Sequence, residues 1–402
     1  MLATCCSLCF GARPPVVVVP GSLHSSLEVS RDGGGSWSPL YLDWSLLRPP
    51  ERRQAAWIGD IALNASAGLY PPPDPDGVAV RAAQGWWSGD AFGSLGAIPQ
   101  RDPWTYPANS TYAVFLGALQ QRGGYAPGVD LFAAPYDWRR APDTLAPYFS
   151  ALAALVERAS RKGGEQRRVA LVGHSAGPSV ALAFLNGRSA AWKARFVHSL
   201  VSLNGNLGGE IDCLENLWQG GDFVNVQAGV TSWPTAFYRE RAQWTWGITA
   251  WCMPSAALYG ERILVTLAGQ PQLQQPERRF AAANLSSLFR AFGAASLRAQ
   301  YEHVANLTAP VVDPGVRVAC LWGTGLPTPV HYYFAPGNTS TPAVVTLASG
   351  DGQQDDATNS LCAGFAGSVP DWTRAFKGAD HDSLLADPRA MQHLLTRVLV
   401  SE

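Results

Sequence analysis

The stretch that most restricts how this chain can fold runs from Arg167 to Gly187. Val169-Ala170-Leu171-Val172 is a short apolar run of the kind a buried strand shows. It enters Gly173-His174-Ser175-Ala176-Gly177, a Gly-x-Ser-x-Gly sequence. Pro178 follows, and Val180, Ala181, Phe184 and Leu185 recur at helical spacing until Asn186-Gly187 stops the segment. Strand, sharp turn and helix are the context of a nucleophile elbow. The serine of such a turn sits at strained dihedrals with its hydroxyl exposed, and neighbours without a Cβ let strand and helix pass close by. Pro178 suits the first helical turn, where an N–H is not needed. Ser175 is therefore the candidate nucleophile. An ordinary strand-to-helix turn is the competing reading, and only suitable partners elsewhere in the chain decide between them.

The chain has 402 residues, 47% of them hydrophobic, enough for a large core and a decorated α/β domain. The net charge is −1 and no basic stripe occurs, which excludes a nucleic-acid partner. Charged residues make up only 15% against 15 Trp and 30 Pro, a balance that suits aromatic surface against lipid or simply an aromatic core. No apolar stretch reaches the ~18–20 residues of a spanning helix, so membrane contact is expected to be peripheral. Residues 1–12 form an apolar stub without a basic start, either the remnant of a signal peptide or an early start.

Asn-x-Ser/Thr occurs at Asn64, Asn109, Asn284, Asn306 and Asn338, where roughly one or two would arise by chance, pointing to a lumenal or secreted glycoprotein. Cys213, Cys252, Cys320 and Cys362 are an even set that allows two disulfides in three pairings. Cys5, Cys6 and Cys9 are cut away, lipidated or idle.

Taken in order, Pro14 to Gly21 reads as a buried strand with a tight exit turn, followed by the loop Ser22–Glu28. In the fold that carries such an elbow, this early loop supplies one backbone N–H of an oxyanion hole and the residue after the nucleophile supplies the other. Ser22 and Ala176 are the candidates; His24 is functional or polar loop trim. Residues 30–110 are irregular and rich in Gly, Pro and aromatics, a lid or membrane-binding excursion or plain edge packing. Tyr112–Gln121 and Ala141–Ser160 read as helices, with a strand and exit loop over 128–139 between them. Phe196–Leu203 is a further strand, and strands alternating with helices mean a parallel sheet. The alternation lapses between about 210 and 312, read as an inserted cap, and resumes at Val316–Gly323. A β-excursion at 330–348 and a closing helix at 382–400 complete the chain. The expected division is a core of 13–204 and 313–402 around a cap of 205–312.

A serine hydroxyl needs a base to take its proton and a carboxylate to orient that base, in the chain order Ser, acid, His. Of the downstream histidines, His198 lies in a strand, His303 in the cap, His331 in the β-excursion and His393 in a helical stripe. His381 lies in a turn before the last helix, where a loop-borne base belongs. Asp351 sits between two glycines in a tight turn after an apolar run, which favours it over Asp355 and Asp356 as the acid. No His/Asp/Glu cluster shows metal-ligand spacing, so no metal or cofactor is implied.

With these pieces in place the chain resembles the lecithin:cholesterol acyltransferase family. The matching segments are Pro15–Gly21 with Leu27-Glu28, Ala134-Pro135-Tyr136-Asp137-Trp138-Arg139, Gly173-His174-Ser175, Ser202-Leu203 with Gly208-Gly209, Gly350-Asp351-Gly352 ahead of Cys362, and His381 with Leu384. They run in family order over nearly the whole chain. The resemblance implies an α/β-hydrolase fold with a mostly parallel sheet, an inserted cap, a small membrane-binding element and a mobile lid. It implies a triad of Ser175, Asp351 and His381, oxyanion donors at Ser22 and Ala176, and a disulfide between Cys320 and Cys362. Three departures bear on substrate choice. No Cys lies between Cys9 and Cys213 to brace the lid around 37–57, the loop Asn204–Gly209 lacks the family's tryptophan, and Pro178 replaces a small residue.

The expected function is a lumenal or secreted serine acyl hydrolase or O-acyltransferase. It takes an acyl chain from a glycerophospholipid at a membrane or lipid-particle surface and passes it to water, a sterol or a diacylglycerol. A phospholipase A using water alone, a secreted peptidase on the same fold and a non-catalytic lipid-binding relative are the alternatives. The charge-poor cap argues against the peptidase.

Overall fold

The computed structural model describes residues 13–41, 51–65, 69–83, 92–98, 111–162, 164, 166–219, 235–308 and 311–400. The stub at 1–12 with its cysteines, the sequon Asn109, and Trp44, Trp86, Trp87 and Trp104 of the excursion lie outside the described residues.

Among the described residues thirteen strands follow one another: β1 (Val16–Val19), β2 (Leu27–Ser30), β3 (Ser38–Tyr41), β4 (Ala79–Ala82), β5 (Leu131–Ala133), β6 (Val169–His174), β7 (Val197–Leu203), β8 (Ile263–Leu267), β9 (Arg278–Ala281), β10 (Arg317–Thr324), β11 (Leu326–Phe334), β12 (Val344–Gly350) and β13 (Arg374–Lys377). Six of them form the central sheet in the order β13-β10-β7-β6-β1-β5. Every pairing in that sheet is parallel. The chain starts at β1, moves outward to β5, then returns to the other side of β1 as β6 and proceeds to β13. The direction of winding thus reverses between β1 and β6, and the crevice beyond the carboxyl ends of strands at such a point is where open α/β sheets bind ligands.

The sequence explains why these strands are internal. Val16, Val17, Val18 and Val19 are all at most 2% exposed, alternating between two apolar clusters on opposite faces of the sheet. Each buried valine contributes about 1.5–3 kcal/mol from removed apolar surface. Helices Ala146–Arg161 and Ala176–Asn186 supply Leu152, Leu155, Val156, Val180 and Phe184 to one face. Helix Thr111–Gln121 and the C-terminal turns supply Phe115, Leu116, Leu119, Met391 and Leu394 to the other. The closing helix expected over 382–400 is broken. Asp387 accepts from the N–H groups of Arg389 and Ala390 and starts a new helix at Pro388.

Two regions carry more order than their sequence suggested. The excursion contains a helix, Glu51–Ile61, and two strands, β3 and β4, that flank β2 in an antiparallel sheet, β3-β2-β4. Its strands have four residues each and little alternation, which hides them. β2 carries Glu28, fully buried and paired with Arg81 at 2.8 Å. The stretch expected to form a cap contributes β8 and β9 to a four-stranded sheet, β12-β11-β8-β9, in which β8 runs parallel to β11. That stretch and the later β-hairpin therefore share one sheet.

No disulfide braces the described part of the excursion. Indole and hydroxyl hydrogen bonds do that work. Trp57 Nε1 donates to Leu40 O at 3.0 Å, Trp246 Nε1 donates to Ile61 O at 2.9 Å, and Thr245 Oγ1 accepts from Leu63 N at 2.9 Å. Arg139, fully buried, pairs with Asp137 and Asp74 at 2.8 Å each. The Ala-Pro-Tyr-Asp-Trp-Arg segment is thus a buried ionic knot at the root of the excursion, and Trp138 Nε1 ties it to Ser25 O at 3.0 Å.

Candidate active site

The turn after β6 has the geometry its sequence demands. Ser175 has φ 58° and ψ −118°, a conformation that a side-chain-bearing residue adopts only when its surroundings enforce it. A Cβ on Gly173 would lie 2.5 Å from Pro178 N, and one on Gly177 would lie 2.1 Å from Val19 O. Only glycine lets β6, the following helix and β1 come this close. Ser175 N donates to Leu203 O at 3.1 Å, and Ser175 O accepts from Asn206 N at 3.0 Å, so the strained turn is held from both sides.

Ser175, Ser22, His24 and His381 open onto one cavity of about 270 Å³, at the point where the sheet reverses its winding. Gly21, just before Ser22, packs so closely on the turn that a Cβ there would lie 2.9 Å from Ser175 Cβ. Ala176 is fully buried as the first residue of the helix. His24 has Nδ1 at 2.8 Å from Ser22 O, within the loop itself.

Behind the cavity, His381 Nδ1 is 2.9 Å from Asp351 Oδ2. Asp351 is fully buried, and its Oδ1 accepts from Gln353 N at 2.9 Å and Gln354 N at 2.6 Å. Burial alone would oppose its ionisation, but the His381 charge and hydrogen bond and the two backbone N–H groups hold its carboxyl below the usual range. For His381, burial favours the neutral ring. The charge and hydrogen bond of Asp351, with Asp382 and Glu210 behind them, outweigh this and raise its pKa to about 9.

The other acids and histidines are occupied elsewhere. Asp355 caps the helix Asp356–Asn359 and accepts from Tyr259 Oη at 3.1 Å, and Asp356 Oδ2 accepts from Thr324 Oγ1 at 2.9 Å. His198 stacks on Trp372, His303 on Tyr70, His331 contacts Thr266 Oγ1 at 3.0 Å, and His393 contacts Trp372 O at 3.2 Å.

Three residues that sequence reasoning passed over connect the parts. Tyr112 Oη accepts from Gly21 N at 2.9 Å and lies 3.4 Å from His174 Nδ1. His174 Nε2 is 2.9 Å from His381 O, which also accepts from Asn204 Nδ2 at 2.9 Å. Asn204 Oδ1 in turn accepts from Gly323 N at 2.8 Å. Burial and the neighbouring His381 drop the His174 pKa to about 3, so its ring is neutral and donates from Nε2 to that carbonyl. One chain of hydrogen bonds therefore links the loop after β1, the turn after β6, the His381 loop and the end of β10. The only available signal was His174 in the variable position of Gly-x-Ser-x-Gly; nothing local marked Tyr112 or Asn204.

Cys320 and Cys362 are disulfide-bonded with Cα atoms 5.6 Å apart, whereas Cys213 and Cys252 are free, so of the two bridges the sequence allows only this one is formed.

The sheet order, the strained serine turn after β6 and the His–Asp pair on the loops after β13 and β12 define an α/β-hydrolase fold. A chain in the crystal structure of the Tle4–Tli4 complex shares this fold, with a TM-score of 0.51 and 12% identity over 95% of this chain and 97% of that one. The protein belongs to the lecithin:cholesterol acyltransferase family, whose model matches residues 37–257, more than half of the chain. It is 28% identical to a lysosomal phospholipase A and acyltransferase of Canis lupus familiaris, over 98% of this chain and 93% of that protein. It is 27% identical to a phosphatidylcholine-sterol acyltransferase of Homo sapiens, over 94% of this chain and 83% of that protein. A lecithin-cholesterol acyltransferase-like 1 protein of Arabidopsis thaliana is 26% identical, over 96% and 90%. The chain is thus an enzyme of this acyltransferase and phospholipase class.

Proposed function

We propose that the protein takes an acyl chain from a glycerophospholipid through an acyl-enzyme on Ser175 and passes it to water or to a lipid alcohol such as a sterol or diacylglycerol. Ser175 Oγ attacks the ester carbonyl while His381 Nε2 takes its proton, and Asp351 holds the ring through Nδ1–H. The N–H groups of Ser22 and Ala176 receive the oxyanion, each donor contributing about 3 kcal/mol to the transition state. His381 returns the proton to the leaving alcohol. The acceptor then attacks the acyl-enzyme by the same steps in reverse.

The observation that carries this reading is the 2.9 Å His381–Asp351 pair facing the cavity onto which a φ 58° serine opens. The names of the relatives favour a phospholipid donor. Residues 205–312 act as a cap over the sheet domain, with the excursion at 30–110 as lid and membrane-binding element. Among the described residues no helix is long and apolar enough to cross a membrane, and a peripheral approach to the lipid surface fits that. Exposed sequon asparagines at 284, 306 and 338 and the Cys320–Cys362 bridge suit a lumenal or secreted glycoprotein.

The test is purified protein on phosphatidylcholine vesicles, with and without a sterol or diacylglycerol. Free fatty acid and lysophospholipid alone identify a phospholipase A, and an acylated acceptor identifies a transferase. No turnover, with Ser175→Ala indistinguishable from the parent, overturns the enzyme reading in favour of a lipid-binding relative.

A further inference from the structure

The lining of the cavity also contains a group of side chains that acyl transfer does not use. Glu210 and Cys213 lie at the start of a 3₁₀ turn (Asp212–Leu217), and Cys252 closes the helix Gly247–Trp251. The two segments meet because Gly209 has φ +81° and a Cβ there would lie 2.0 Å from Met253 O, leaving Glu210 N to donate to Cys252 O at 2.9 Å. This approach brings together Cys213 Sγ and Glu210 Oε1 at 3.2 Å, and it places Cys252 Sγ within 4.8 Å of both residues' ligand atoms.

We propose that Glu210, Cys213 and Cys252 form a site for a thiophilic divalent cation of the zinc type, and that filling it blocks the cavity to lipid. Zinc binds thiolate at about 2.3 Å and carboxylate at about 2.0–2.2 Å, so tetrahedral ligand atoms lie roughly 3.5–3.8 Å apart. The three ligand atoms lie within 4.8 Å of one another, with Cys213 Sγ and Glu210 Oε1 at 3.2 Å, so side-chain adjustments of about an ångström bring them to that spacing. Glu210 is 4% exposed and its Oε2 has no hydrogen-bond partner, an orphaned buried oxygen that a cation would satisfy. The nearby Gln354 side chain is buried too, with both its nitrogen and oxygen unpaired. Asn206 Nδ2 donates to Cys252 Sγ at 3.0 Å, the kind of outer contact that orients a metal-binding thiolate.

The surroundings favour a cation. Asp212, Glu215 and Asp382 line the same cavity, and no Lys or Arg does so among the described residues. The histidine of this lining with a raised pKa, His381, is already paired with Asp351, and the further carboxyl groups draw a second cation. Two thiolates select borderline and soft metals over calcium or magnesium. With three protein ligands the fourth position faces the cavity, where a water completes the tetrahedron. Binding releases the two thiol protons to solvent and involves no redox change.

Cobalt(II) is the probe, because tetrahedral cobalt–thiolate sites absorb strongly in the near ultraviolet and visible. The full chain, with its free thiols kept reduced, is titrated with cobalt and then with zinc. The expected result is a thiolate-to-cobalt band saturating at one ion per chain, displaced by zinc, lost in Cys213→Ser and Cys252→Ser and retained in Ser175→Ala. This readout does not depend on the proposed acyl-transfer activity. In the vesicle assay, zinc inhibits the parent reversibly on chelation. Measured against its own rate without zinc, Cys213→Ser needs at least about 10-fold more zinc for the same fractional inhibition. The proposal is overturned by the absence of a thiolate band in the reduced parent, by a band unchanged in both cysteine variants, or by equal zinc sensitivity of parent and Cys213→Ser. Equal sensitivity would move the inhibitory ion to the His174–His381–Asp382 group.

Discussion

The two walls of the cavity are built on opposite principles. The sheet wall is set by backbone: Gly173, Gly177 and Gly21 bring β1, β6 and their loops within distances that a single Cβ would forbid. Its side chains are small and few, and hydrogen bonds through Tyr112, His174 and Asn204 fix the rest. The insert wall is set by side chains. Trp246, Glu210, Cys213, Glu215 and Cys252 project from short turns whose backbone is unremarkable apart from Gly208 and Gly209. Chemistry that needs reacting atoms held within fractions of an ångström belongs on the first wall, and choice of ligand belongs on the second.

The largest expected effect is on the sheet wall. Ser175→Ala should lower kcat on phospholipid by at least about 10⁴-fold, with circular dichroism and the melting temperature unchanged. Asp351→Asn should cost about 10⁴-fold, since it leaves His381 without the acceptor that fixes its tautomer. Retention of more than a tenth of the parent rate in either would break the proposed triad.

Gly177→Ala acts on the same wall through the fold. Its Cβ would meet Val19 O at 2.1 Å, backbone against backbone, so the denaturation midpoint should fall by an amount equivalent to about 3 kcal/mol or more. An unchanged midpoint would mean that β1 and the elbow helix are not packed as described.

A conservative change on the insert wall should do less. Trp246→Phe removes the indole hydrogen bond to Ile61 O and should cost about 1 kcal/mol of stability, appearing in KM for vesicles before kcat. A fall in kcat alone would show that the insert reaches the chemical step.

The smallest effect is on pH dependence. A base works only when neutral, so the rate should fall as pH drops through the His381 value of about 9. Asp382 is among the charges that raise it, behind Asp351. Asp382→Asn should therefore move the acid limb toward lower pH, by roughly a few tenths of a unit because the side chain is exposed. A shift toward higher pH would contradict the sign of that interaction.

Much of the sheet wall was legible in advance because it is local. Four consecutive valines, Gly-x-Ser-x-Gly between an apolar run and a helical stripe, and an aspartate between glycines each carry their geometry in a few adjacent residues. Pairing Asp351 with His381 needed only the rule of chain order, and the structure brings them to 2.9 Å. Glu28–Ser30 and Ala79–Ala82 were read as loop, because four-residue strands with a buried Glu–Arg pair lack the period that marks a half-buried strand. The run Ile263–Leu267 does have strand character, but it lies in the stretch read as an inserted cap, where no alternation of strands and helices marks it.

From its residues alone, then, the chain specified its fold class, the strained serine turn, and the candidates for nucleophile, acid and base, since each depends on steric rules acting over fewer than about ten residues. Tertiary structure alone decided which groups support them and what faces them. His174 and Asn204 meet at the His381 carbonyl, and Tyr112 and Asn204 accept from the N–H groups of Gly21 and Gly323, all from segments far apart in sequence. Glu210 and Cys213 meet Cys252 only because Gly209 allows two backbones to touch. Contacts between segments far apart in sequence leave no period, spacing or turn signal to read, because the loop between them can take almost any length at little entropic cost.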